Sequence, residues 1–199
     1  WKEKPYHINL SKKNNQIIKE YIFDMEQGKN ISRFSKKGAR SYTRLNHIRQ
    51  KIFFIAELLE NNFKLKDITK ADEEVIHKLF DDMRKGNIRR LDGGIYKSVG
   101  DYVKIFKAFW HWWELVNRKT GKVVKDITTD LDTSTEEPKF VYFTEELLNE
   151  MIKIADPDMK VLMLFLYDTG MRVSEMKNIK VSDLLNDFKE VNIRNETSK

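Results

Sequence analysis

The 199-residue chain has no cysteine, which excludes disulfides and thiolate metal sites at once. Histidine is scarce: His7, His47, His77 and His111 stand at spacings that match no zinc pattern. Each reads as a surface or core side chain, and no metal or other cofactor is expected. The longest apolar run, V-L-M-L-F-L-Y at residues 161–167, is far too short to span a bilayer. A soluble, cytoplasmic protein with no membrane partner is the expectation. Internal repeats and low-complexity tracts are lacking as well. Acidic residues are missing from one long stretch: residues 29–51 carry Lys29, Arg33, Lys36, Lys37, Arg40, Arg44, Arg49 and Lys51, and no Asp or Glu.

Against these absences stand an apolar fraction of 40%, enough to fill a core, and a net charge of +6 that is unevenly placed. A basic stripe of this kind suits a polyanion such as nucleic acid. Its plain alternative is a solvated helix face.

Helical periodicity runs through the first two-thirds of the chain. Ile17, Ile18, Tyr21, Ile22 and Met25 form one apolar face, ended by Gly28. A second helix is predicted over residues 37–61, with Tyr42, Leu45, Ile48, Ile52, Ile55 and Leu59 inward and its basic residues in the N-terminal half. A third should begin at Thr69, a candidate cap followed by acids, carry Val75, Ile76, Leu79 and Phe80, and stop before Gly86. The fourth, after Gly93-Gly94, repeats Tyr102, Phe106, Phe109, Trp113 and Val116 at helical spacing. That aromatic stripe reads as core rather than as a platform for stacking bases. Lys97, Lys104 and Lys107 lie off it, where they can face a ligand.

The character then changes. Residues 1–119 read as a helical domain, 120–138 as a polar linker, and 139–199 as a second, shorter domain. In the latter, F-T-E-E-L-L predicts a helix start at Thr144, with Phe143 stapled on Leu148. A further helix follows Asp156-Pro157; it is apolar nearly all round and is expected at the domain's centre. Alternation at Val191 and Ile193 predicts a short strand after a turn at Asn186-Asp187, with its partner strand outside this chain.

The most specific text is D-T-G-M-R-V-S-E-M-K-N-I-K-V-S-D-L, residues 168–184. It resembles the first arginine box of tyrosine recombinases, the integrase and Xer-like family, with Thr169, Gly170, Arg172, Val173, Ser174, Glu175, Ser182, Asp183 and Leu184 in register and Met176 in place of the usual leucine. The order of parts is also similar: a basic helical bundle ending in an aromatic helix, a linker, then F-T-E-E-L. The resemblance implies a mainly α fold, in which a four-helix (SAM-like) core-binding bundle precedes the helical start of a catalytic domain that ends in a short β segment. It implies DNA recombination or integration, with double-stranded DNA as partner and a homo-oligomer on DNA in the intact protein.

Such enzymes cleave one strand by attack of a tyrosine hydroxyl on phosphorus, forming a 3′-phosphotyrosyl link without a metal. The charge growing on the non-bridging oxygens then has to be met by guanidinium groups, whose fork binds two oxygens together. The resemblance gives that role to Arg172. Its position just past Gly170 and before a new helix, with Ser174 as cap, adds the expectation of amide donors aimed at the phosphate. Glu175 is expected to orient the guanidinium. Lys199 resembles the hairpin lysine that protonates the leaving 5′-oxygen in the family; its alternative is an exposed terminal lysine. The expected phosphate contacts of the bundle are Arg33, Lys36, Lys37, Arg40, Arg44, Lys97 and Lys104.

The family also needs an H-x-x-R box and a tyrosine nucleophile downstream, and this chain has no histidine or tyrosine after Tyr167. The expectation is therefore an N-terminal part of a longer recombinase, inactive in cleavage alone. Two alternatives remain open: a non-catalytic DNA-binding protein, and a helical interaction module in which Arg172 merely pairs with an acid such as Glu175.

Overall fold

The computed structural model describes residues 10–31, 39–134 and 142–194. The chain is mainly helical and divides into two compact units, residues 1–137 and 138–199. Among the described residues, no helix is long and apolar enough to cross a membrane.

In the first unit, α1 (Lys12–Gln27), α2 (Tyr42–Phe63), α3 (Glu73–Lys85) and α4 (Val99–Lys119) share one core. Ser11 caps α1 by accepting the Asn14 amide at 3.1 Å, and Gly28 ends it at φ 68°, a left-handed conformation that glycine adopts without strain. The predicted face is buried: Ile17, Ile18, Tyr21, Ile22 and Met25. Beside it Asn14 is also fully buried. Its amide donates to Glu60 Oε1 at 2.6 Å and its carbonyl accepts the Ile68 N–H at 2.7 Å, so one side chain ties α1 to α2 and to the α2–α3 connection.

Helix α2 starts later than the expected residue 37. Ser41 is its cap, and Tyr42, expected inward, is 61% exposed because it occupies the first turn, ahead of the core layer that begins at Leu45. The start of α3 also differs. Thr69 sits inside a single 3-10 turn, Ile68–Lys70, where Asp67 accepts its amide, and Asp72 caps α3 instead by accepting Val75 N–H at 2.8 Å. Both Asp67 and Asp72 offer a carboxylate at the cap position, and each takes the nearer free amide.

The α4 aromatics are core, as their spacing implies. Phe106 and Phe109 are fully buried, Trp110 and Trp112 nearly so, while Tyr102, Trp113 and Val116 are half-buried at the margin. Tyr21 meets the Phe109 ring edge-on at 5.3 Å, and Trp112 Nε1 donates to Asp24 at 2.8 Å.

Residues 120–134 are not the free linker that their polarity suggested. Ile127 and Leu131 join the core, Thr128 is fully buried, and Trp110 Nε1 donates to the Lys125 carbonyl at 2.9 Å. Asp126 and Asp132 fold this segment into tight turns by accepting the amides of Thr128 and Ser134, which accounts for the polar residues. The segment comes so close to α4 that a Cβ at Gly100 would lie 2.6 Å from the Thr133 carbonyl oxygen.

In the second unit, Thr144 caps α5 (Glu145–Ile154), and Asp156 caps α6 (Pro157–Thr169), which Gly170 ends at φ 63°. Leu148 is buried, but Phe143 is 56% exposed. The expected central helix is α6, yet none of its residues is fully buried. Met159, Val161, Leu164 and Tyr167 are exposed, because within the unit the helix packs mainly on α5 alone. Helix α7 (Val173–Met176) and a 3-10 turn (Val181–Asp183) lead into β1 (Leu184–Leu185). This strand pairs antiparallel with β2 (Glu190–Val191), Leu184 opposite Val191. The partner strand expected outside the chain is therefore within it. The turn between them holds Asn186, Asp187 and Phe188 at positive φ, as the Asn-Asp pair foretold.

Candidate nucleic-acid interface

Two groups of basic side chains matter, one in each unit. In the first, Arg40 just ahead of α2, Arg44 in its first turn, and Lys104 and Lys107 on α4 line one cleft of about 380 Å³. Lys104, Lys107 and His111 stand at spacings of three and four on α4 and project from one side of it, while Arg40 and Arg44 come to the same cleft from the start of α2. Among the described residues no carboxylate lines the cleft; its apolar wall includes Met25, Ile48, Ile105 and Ala108. Tyr21 forms part of its floor.

Arg44, Lys104 and Lys107 keep donors to offer. Arg44 meets His47 Nδ1 at 3.2 Å, Lys107 donates to the Thr129 carbonyl at 3.3 Å, and Lys104 approaches Asp101 only at 3.9 Å. His111 Nε2 lies 3.6 Å from Asp126. The His47 imidazole is held below its ordinary range, first by burial and then by the charges of Lys51 and Arg44, so it adds no charge of its own at neutral pH. Burial pushes the Tyr21 phenol far up, against the opposing pull of Arg44 and Arg40; it stays a neutral hydroxyl.

Lys97 does not join this group. It lines a separate pocket with Arg84, Tyr96 and Asp132. Arg33, Lys36 and Lys37 lie outside the described residues, as does Lys199.

In the second unit, the arginine box folds as a tight series of turns. Thr169 Oγ1 donates back to the Phe165 carbonyl at 2.6 Å, Gly170 reverses the chain, and Met171 is buried. Arg172 itself is the cap residue of α7. Its backbone N–H donates to Glu175 Oε2 and its guanidinium to Glu175 Oε1, both at 2.8 Å. Glu175 is 6% exposed while the Arg172 side chain is 72% exposed, so a buried carboxylate braces an outward-facing fork. Orientation by Glu175 thus has the expected geometry.

The helix-terminus expectation fails. Ser174 is inside α7 rather than its cap, the helix is a single turn of four residues, and Glu175 already serves its start; a dipole that short adds little.

A second pair lies beyond the reach of the sequence argument. Asp183, 6% exposed, accepts the Lys180 N–H at 2.8 Å and Arg194 Nε at 3.1 Å, while Arg194 also donates to the Asn178 carbonyl. This ties the segment after β2 back to the turn before β1. The spacing of Lys104, Lys107 and His111 was a readable signal for the cleft; nothing in the sequence pointed to Tyr21 or to Arg194. Comparisons of the chain with protein families, with curated proteins and with solved structures find no match.

Proposed function

We propose that this chain is a duplex-DNA-binding segment of a tyrosine site-specific recombinase or integrase. In this reading α1–α4 form the four-helix core-binding bundle, and residues 139–199 begin the catalytic domain. The observation that carries it is the Arg172 turn: an exposed guanidinium fixed by a buried glutamate inside T-G-M-R-V-S-E, which is the arrangement a metal-free phosphoryl transfer needs. Four Lys and Arg side chains gathered on a cleft that no described carboxylate lines support the DNA-binding half of the reading.

The roles divide accordingly. Arg40, Arg44 and Lys104 hold backbone phosphates and set register, carrying no sequence information. Arg172 meets the charge that develops on the phosphate under attack, with Glu175 holding its fork in plane. The nucleophile and the second histidine–arginine box of such an enzyme are not among these 199 residues, so the chain alone binds and does not cleave.

The test is duplex binding over a salt series. The reading expects clear affinity at low salt that falls steeply, with a log–log slope of about −0.9 per phosphate neutralised. Arg172→Ala should keep most of the affinity and reduce the slope by about one unit. The exposed apolar side chains of α6 favour a second reading, a helical interaction module in which the Arg172–Glu175 pair is purely structural. Absence of duplex binding at low salt would select it.

A further inference from the structure

The first unit's cleft has a feature that a general grip on DNA does not require. Tyr21 is fully buried on its floor, and among the described residues its hydroxyl has no hydrogen-bond partner. A buried hydroxyl without a partner costs stability, and a phenylalanine would pack there equally well. Tyr21 lines the cleft together with Arg40 and Arg44, the two cations whose charges act on its hydroxyl.

The cleft also offers more than a row of phosphate contacts. At about 380 Å³ it falls within the size range of small-molecule clefts, and it sets an apolar wall of Met25, Ile48, Ile105 and Ala108 against its cations.

We propose that this cleft seats a single nucleotide, its phosphate held by Arg40, Arg44, Lys104 and Lys107 with the Tyr21 hydroxyl donating from the floor, and its base or sugar against the apolar wall. Each of these donors suits a phosphate oxygen: the arginines as planar forks, the lysines as point charges, and the phenol as a neutral donor in a desolvated position. Lys107 and Lys104 need not break a strong bond to reach it, since the first gives one of its three N–H groups to Thr129 and the second lies 3.9 Å from Asp101. The ligand chemistry is a phosphate beside an apolar body. A nucleotide of a bound DNA strand and a free nucleotide both present it, so the inference stands on the cleft itself and not on duplex binding.

Calorimetric titration with thymidine 5′-monophosphate, thymidine and inorganic phosphate tests it, on wild type, Tyr21→Phe and Lys104→Ala/Lys107→Ala. Saturable 1:1 binding of the nucleotide is expected, with thymidine much weaker. Tyr21→Phe should weaken it about fivefold while leaving the melting temperature unchanged or higher. The double lysine variant should weaken it about tenfold or more. No saturable nucleotide binding, equal binding of thymidine, or Tyr21→Phe binding as wild type would each overturn the proposal. Competition assigns the source: a nucleotide that displaces duplex DNA supports a strand nucleotide as occupant, and one that leaves the duplex bound supports a free one. A chain that binds the nucleotide but no duplex supports the cleft and removes the recombinase reading.

Discussion

The two units differ in how much of their apolar sequence they cover. In the first, four helices of 13 to 22 residues suffice to close a shared core of Ile, Leu, Phe and Trp, and even the polar tail after α4 packs onto it. The second has a more apolar helix than any of these, α6, that buries none of its residues completely. Hydrophobicity sets what a helix would gain from cover, and neighbours set whether it is covered. The first unit is built to stay rigid beneath a basic cleft. The second holds its arginine by local carboxylate bonds, with little core beneath it.

That contrast can be broken by substitution. Phe109→Ala should produce the largest effect, a loss of about 3–5 kcal/mol in urea unfolding, since the ring is fully buried against Tyr21, Phe106 and Trp112. Leu164→Ala on α6 should cost less than about 1 kcal/mol, its side chain being 43% exposed. Trp110, Trp112 and Trp113 lie on α4 of the first unit and residues 138–199 contain no tryptophan, so fluorescence does not report the second unit while far-UV circular dichroism reports both. A large loss from Leu164→Ala would contradict the contrast.

Gly100→Ala comes next. In an ordinary helix this change stabilises by about 0.5–1 kcal/mol; here it should destabilise by about 1–3 kcal/mol, because the new methyl meets the backbone of residues 133 and 134. Thermal melting gives the sign. Asn14→Ala should cost about 1–3 kcal/mol by leaving the Ile68 N–H without its buried acceptor.

The smallest effect is a pH dependence. His47 is held below its ordinary value of 6.5, so below that value the unfolded chain binds the proton more readily than the folded one. The group costs nothing above pH 6.5, and stability falls as the pH drops through it. His47→Gln should flatten that part of the stability curve; an unchanged slope would assign it to the carboxylates.

Much of the fold was legible because its signals are local. Gly28, Asp156 and Gly170 mark helix ends by chemistry that needs no partner, and the α4 aromatics repeat at one spacing. The errors fall where a local signal has competitors. Thr69 lost to Asp72, and Ser174 to Arg172, because two residues within a turn can each act as a cap. Residues 120–134 look like a linker by composition, but three apolar side chains, Val124, Ile127 and Leu131, anchor them. The candidate site was partly legible: Arg40, Arg44 and Lys104 come together on one cleft, whereas Lys97 is in another pocket for reasons of tertiary packing that no spacing reveals. Tyr21 carries the periodicity of a core residue, so its unpaired hydroxyl could be found only from the structure.

The central claim is that the cleft of the first unit grips phosphates. Its most direct test is the salt dependence of duplex binding for wild type and for Arg40→Ala/Arg44→Ala/Lys104→Ala. The account predicts weaker binding and a log–log slope shallower by about 2–3 units, near 0.9 for each contact removed. An unchanged slope, with the variant still folded by tryptophan fluorescence, would contradict it.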